Sequence, residues 1–197
     1  MKRKGLLYVT LFAVVAFFAT ANIGSAEDGI SIGSKLDNFS MPDPSGKKHE
    51  FNDLKGKNGA LVIFLSAQCP VVRMYNDRIN AVAKAFKKKG INFIGIYSNV
   101  TESIDRVKKH AEATYDFQVL FDENHVFADQ LGATRTPEVY YFDAKNILDY
   151  HGAIDNDRSG RNITREFLKK AFTQKLKGEK ISEKETRAFG CTIKRNK

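Results

Sequence analysis

A chain of 197 residues with 42% hydrophobic composition is long enough to bury one ordinary core and too short for several. Its formal net charge is +9, yet the lysines are scattered along the chain and cluster only mildly after Lys169. A nucleic-acid reader more often carries a dense basic stripe interleaved with exposed aromatics, so the charge reads as a solvated surface and predicts no nucleic-acid partner.

The chain opens on Met1-Lys2-Arg3-Lys4, an apolar stretch from Leu6 to about Ala19, and then small residues. This pattern predicts a signal peptide over 1–26, cleaved after Ala21 or Ala26. An uncleaved membrane anchor is the alternative, but the apolar run is shorter than the ~20 residues a spanning helix needs. The expected location is periplasmic or extracellular, with no stable membrane partner. Export places both cysteines, Cys69 and Cys191, where a disulfide can persist, and two thiols pair within a chain in only one way.

After a lead-in from Ile30 to Leu36, the segments Asn38–Met41 and His49–Phe51 flank a Pro/Gly turn and predict a β-hairpin. Ala60 to Leu65 is an unbroken apolar run, typical of a strand covered on both faces. From Pro70 to about Lys88, Val71, Tyr75, Ile79, Val82 and Phe86 recur at the period of an amphipathic helix, which Gly90 ends. Ile91–Tyr97 reads as a second buried strand. Thr101 or Ser103 can cap a helix running to about Thr114. A short strand at Phe117–Phe121, a short helix around His125–Leu131, a hairpin of Glu138–Phe142 with Ile147–His151, and a helix over Asn162–Lys177 complete the order. Lys180–Lys197 reads as a polar tail that carries the second cysteine. The elements describe an α/β sandwich with a mixed central sheet, as one domain over 27–179 and a tail over 180–197.

Cys69 stands immediately after the first buried strand, with Pro70 at the first helical position. Free amides at a helix N-terminus favour a thiolate over a thiol, and Pro70 sacrifices no needed N–H there. The bland alternative is an inert buried cysteine. Arg73, one turn on, is either a cation that supports the thiolate or an exposed surface residue. Asp155-Asn156-Asp157-Arg158-Ser159-Gly160 with Glu166 fits the spacing of a calcium loop. A strand precedes it, however, and arginines lie within it, so it reads as an ordinary turn. His49, His110, His125 and His151 show no metal-ligand spacing, and no metal or organic cofactor is expected.

The chain resembles the peroxiredoxin-like branch of the redoxin superfamily (the alkyl hydroperoxide reductase and thiol-specific antioxidant group), from about Ile32 to Lys194. The matching residues are Gly33 and Phe39, Cys69 to Tyr75, Gly95-Ile96 with Ser98-Asn99, and Gly132 to Glu138. Tyr150 to Asp155 and Gly190-Cys191-Thr192-Ile193-Lys194 complete the set. The resemblance implies a thioredoxin-like fold with an N-terminal β-hairpin and a C-terminal extension. It also implies a loop at Arg135-Thr136-Pro137 whose proline is cis and faces Cys69.

Many relatives carry Cys-x-x-Cys-Pro where this chain has Ser66-Ala67-Gln68-Cys69-Pro70, so the paired thiol is absent. Peroxiredoxins proper place a hydroxyl residue where Ser66 stands and a proline where this chain has Val62. The implied activity is reduction of a peroxide by Cys69, with Ser66 and either Arg73 or Arg135 stabilising charge. Cys191 would then resolve the sulfenic acid and an external thioredoxin-like thiol reductant would reopen the bond. Ser66 can equally be a neutral remnant, and Cys191 a permanent staple. The same two cysteines allow a second activity, thiol–disulfide exchange with exported proteins. A third reading is a redox-inert binding protein on the same fold.

Overall fold

The computed structural model describes residues 29–196; the expected signal segment lies outside them. The chain enters through the hairpin β1 (Ser40–Pro42) and β2 (Lys48–Glu50) and turns into a short helix α1 (Phe51–Leu54). Phe51 was expected to end the second hairpin strand. Instead Asn38 Oδ1 accepts the Asn52 amide and Phe51 stacks on Phe39, which bends the chain into a helical turn.

β3 (Ala60–Leu65) leads to α2 (Pro70–Lys87), β4 (Asn92–Tyr97), α3 (Ile104–Thr114) and β5 (Gln118–Phe121). A 3₁₀ turn at Glu123–His125 precedes α4 (Val126–Leu131), then come β6 (Arg135–Thr136), β7 (Glu138–Phe142) and β8 (Leu148–Gly152). α5 (Phe167–Leu176) and β9 (Cys191–Thr192) close the chain. Five strands form one sheet in the order β5-β4-β3-β7-β8. β3 pairs with β4, and β4 with β5, in parallel; β3–β7 and β7–β8 are antiparallel.

All six residues of β3 are buried, so alternate side chains feed two cores. Leu61, Ile63 and Leu65 face a core shared with Val72, Tyr75, Ile79 and Phe86 of α2 and Phe172 of α5. Val62 and Phe64 face a second core built by Phe51, Phe127, Leu131, Tyr140 and Phe142. Ser103 caps α3 by accepting the Arg106 amide.

Two further expectations need correction. The last helix starts at Phe167, not Asn162, because polar side chains hold the preceding loop. Asn156 Oδ1 accepts the amides of Thr164 and Arg165, and Asp157 Oδ2 accepts that of Asn162. Asn and Asp offer backbone amides an alternative to helix, and here that alternative wins. The tail, read as polar, is docked: Ile181, Ala188 and Ile193 are buried, and β9 pairs antiparallel with β6.

Phe172 is fully buried among Phe86, Phe93 and Tyr141. Phe172→Ala is expected to lower the unfolding free energy by about 3–5 kcal/mol, measured by urea denaturation.

Candidate active site

The site begins where β3 stops. Cys69 is the N-cap of α2, in extended conformation (φ −78°, ψ 116°), with Pro70 following and no side chain capping the helix. It is 2% exposed and joined to Cys191 by a disulfide spanning Cα atoms 6.0 Å apart. Cys191 is half-buried. The Cys69 Sγ also lies 3.2 Å from the carbonyl oxygen of Thr136.

That carbonyl is presented by a constrained loop. The Thr136–Pro137 peptide is cis. Glu138, the next residue, is buried and turns its carboxylate back on the loop: Oε2 accepts the amides of Thr134 and Arg135 at 2.8 and 2.9 Å. Its Oε1 meets His151 Nε2 at 2.8 Å and accepts the Tyr140 hydroxyl. Burial alone would raise the Glu138 pKa, but the hydrogen bonds from His151, Thr134 and Arg135 outweigh it and hold the carboxyl below its usual range.

The tail lies along this loop. Cys191 stands opposite Thr136 in the β6–β9 register, and the Ile193 amide donates to the Thr134 carbonyl at 2.9 Å. The approach is close enough that a Cβ on Gly190 would strike the Thr136 carbonyl, so only glycine fits there. Further along, the Lys194 amide donates to Asn99 Oδ1 and the Lys194 carbonyl accepts from Val100. Arg195 reaches both Asp129 and the Ala133 carbonyl at 2.6 Å. The tail is thus clamped between the loop after α4 and the loop after β4.

The expected site residues separate into two sets. Cys69, Cys191 and Pro137 come together with the Thr136 carbonyl. Ser66 is close by and buried, but its hydroxyl donates to Glu102 Oε1 at 2.7 Å and accepts the amides of Cys69 (3.1 Å) and Gln68 (3.2 Å). Its proton is directed away from the sulfur. Arg135 sends its guanidinium to the Gly190 carbonyl, where it supports the tail. Arg73 is exposed on α2; its charge, after burial and against Glu102, helps lower the His110 pKa.

Sequence reasoning missed Glu102 and Glu138. Glu138 follows the proline directly, and a carboxylate next to a predicted loop is a readable signal for capping. Glu102 has no such signal, because its partners lie in a segment more than thirty residues earlier. The calcium-like run is committed elsewhere: Asp155 takes Tyr75 and Arg78, and Asp157 takes Ser159 and Asn162. Among the described residues, no group of three or more His, Cys, Asp or Glu side chains could hold a metal ion. Each histidine has a polar side-chain neighbour: His49 with Asp43, His110 with Tyr97, His125 with Asp129 and His151 with Glu138.

A mixed sheet with a cysteine at the first helix N-terminus and a cis-proline loop facing it defines a thioredoxin-like fold carrying a disulfide at its characteristic corner. The AhpC/TSA family matches residues 32–154, and the chain belongs to that family. Among curated proteins, it is 26% identical over 180 residues to a thiol-disulfide oxidoreductase ResA of Bacillus cereus, covering 86% of this chain and 98% of that one. The ResA of Bacillus subtilis is 27% identical over 139 residues, covering 70% and 75%. Among solved structures, a hypothetical protein of Sinorhizobium meliloti superposes with a TM-score of 0.78 at 28% identity, covering 86% and 97%. An uncharacterized conserved protein of Geobacillus kaustophilus gives 0.79 at 28%, covering 86% and 94%.

The depressed Glu138 pKa has a signed consequence. Because the folded value lies below the ordinary 4.5, the stabilisation is complete above 4.5 and is lost as pH falls from there through the lower folded value. Glu138→Gln removes the titration, so the gap in unfolding free energy between wild type and variant should narrow from pH 6 towards pH 3. Parallel urea melts across that range check it; a constant gap would contradict the assignment.

Proposed function

We propose that the protein is an exported thiol–disulfide oxidoreductase that works through Cys69 and Cys191. One observation carries this reading: a buried cysteine at an uncapped helix N-terminus is bonded to a more accessible cysteine, beside a cis-proline loop. When the bond opens, a Cys69 thiolate stands where capping side chains accept the amides of the second and third helical residues, here Val71 and Val72. The net reaction exchanges one S–S bond for another. A partner dithiol loses two electrons and two protons, Cys69 and Cys191 become thiols, and the reverse transfers the same to a partner disulfide. The partners are accordingly a disulfide substrate and an external thioredoxin-like reductant. The names of the ResA relatives support exchange over peroxide chemistry. Among the described residues, no helix is long and apolar enough to cross a membrane; export rests on the sequence of residues 1–26.

Peroxide reduction is the weaker reading for this chain. The Ser66 proton goes to Glu102, Arg135 goes to Gly190, and Arg73 is exposed, so none of the three expected charge-stabilising groups is directed at the sulfur.

Redox titration against dithiothreitol couples tests the proposal, with thiols counted by mass. A cycling pair should titrate as one two-electron step with a potential above about −300 mV, whereas a staple should lie below it. Cys69→Ser and Cys191→Ser should each abolish turnover of disulfide exchange with a model dithiol, because the balanced reaction needs both sulfurs. Peroxide consumption faster than disulfide exchange would reverse the preference.

A further inference from the structure

The second half of α2 does not close against the chain that follows α3. Between them runs a groove of about 470 Å³, a size usual for small-molecule sites. Its apolar floor is made by Phe93 of β4, Ala83 of α2 and Phe117, which precedes β5. Phe93 and Ala83 belong to the first core, whereas Phe117 stays half-buried. The walls are fixed. Asn80 Nδ2 donates to the Thr114 carbonyl at 2.8 Å, and the Tyr115 hydroxyl donates to Asn76 Oδ1 at 2.6 Å. Phe117 stacks on Tyr115, which holds its ring in place.

The α2 side of the mouth is basic. Lys84, Lys87 and Lys88 line it, all exposed, and none forms a salt bridge among the described residues. Lys89 differs, lying over the Phe86 ring. Asp116 is the one carboxylate among the described lining residues, so three cations stand against one anion. Lysines near a helix C-terminus are ordinary by themselves, since they offset its dipole. Three of them along one edge of an apolar floor also complement an anionic amphiphile.

The lining narrows the ligand further. Lysines offer point charges, with neither the arginine fork nor the helix N-terminal amides that suit phosphate. α2 turns its carbonyl end to this site, which penalises a dianion more than a monoanion. The two floor rings meet at 51° with centroids 5.8 Å apart, so a rigid planar ligand can lie on only one of them. A flexible alkyl chain can follow both.

We propose that this groove binds a fatty carboxylate, with its chain along Phe93 and Phe117 and its head at Lys84, Lys87 and Lys88. Lys84 lies about four turns along α2 from Cys69, or roughly 22 Å. The site is therefore separate from the disulfide and independent of the exchange reading.

Isothermal titration of the full chain with octanoate, decanoate and dodecanoate, each below its micelle-forming concentration, tests this. Each added methylene that reaches the floor should tighten binding about threefold. Lys84→Glu combined with Lys88→Glu should weaken dodecanoate binding about tenfold. Ala81→Trp, which fills the groove from its exposed wall, should weaken it by at least about tenfold. All three positions are exposed, so both variants should keep the wild-type urea midpoint. Dodecyltrimethylammonium, the same chain under a cationic head, should bind at least about tenfold more weakly than dodecanoate. Uptake by residues 1–28 is common to wild type and variants, so only the differences report the groove. Dodecanoate affinity unchanged in both variants overturns the proposal, as does equal affinity for the two head groups. Absence of dodecanoate binding overturns it too; if phosphatidylglycerol vesicles then bind and the lysine substitutions abolish that binding, the lysines face a membrane surface instead.

Discussion

The burial of β3 on both faces is the constraint from which the rest follows. A strand with no exposed residue has one register: sliding it by one position would exchange its two sets of side chains between the two cores. With that register fixed, the chain leaves the sheet at Leu65 and must turn within Ser66–Cys69 to lay Val71, Val72 and Tyr75 on the first core. The position of the sulfur is thus a product of apolar packing several residues away. The hydrogen bonds around it refine a place the core has already chosen.

The refinement uses one device repeatedly. Buried carboxylates accept backbone amides of loops, and a charged acceptor makes such bonds stronger than neutral ones. Glu138 holds Thr134 and Arg135, Asp122 holds Phe127 and Ala128 at the start of α4, and Asp155 holds Asp157 while gripping Arg78. Glu102 does the same for Gln68. These anchors sit at strand ends or in the loops just beyond them, so the loops around the disulfide are set by buried charge while the layers beneath are set by apolar area. Such groups cost free energy unless paired, and nearly all of their oxygens are paired here.

The sequence made the layers legible because they rest on periodicity. Ala60–Leu65 agrees with its observed strand residue for residue, and the α2 pattern agrees to within one residue at its C-terminal end. Ser103 as a cap and Gly90 as a stop were readable for the same local reason. The loops were harder. Nothing between Asp155 and Glu166 announces that the Asn156 and Asp157 side chains will hold the amides of Ser159, Asn162, Thr164 and Arg165 against helix formation, and the run even imitated a calcium loop. The tail was misjudged because Ile181, Ala188 and Ile193 are isolated apolar residues with no period, and only the receiving surface makes them buried. At the site, the cysteines and the proline could be found by local placement and family likeness. The roles expected of Ser66, Arg73 and Arg135 could not be settled that way, since each depends on a partner far away in sequence.

The clamped tail changes what the disulfide means in thermodynamic terms. Cys69 and Cys191 are separated by 122 positions, and a bond closing so long a free loop would draw about 4–5 kcal/mol from chain entropy. Here Ile193, Lys194 and Arg195 already fasten the tail beside the sulfur. The tail is fastened by non-covalent contacts as well as by the covalent bond, so that bond draws less on chain entropy than its sequence separation alone would give. What remains is a high local concentration of one thiol against the other, set by a two-residue tether.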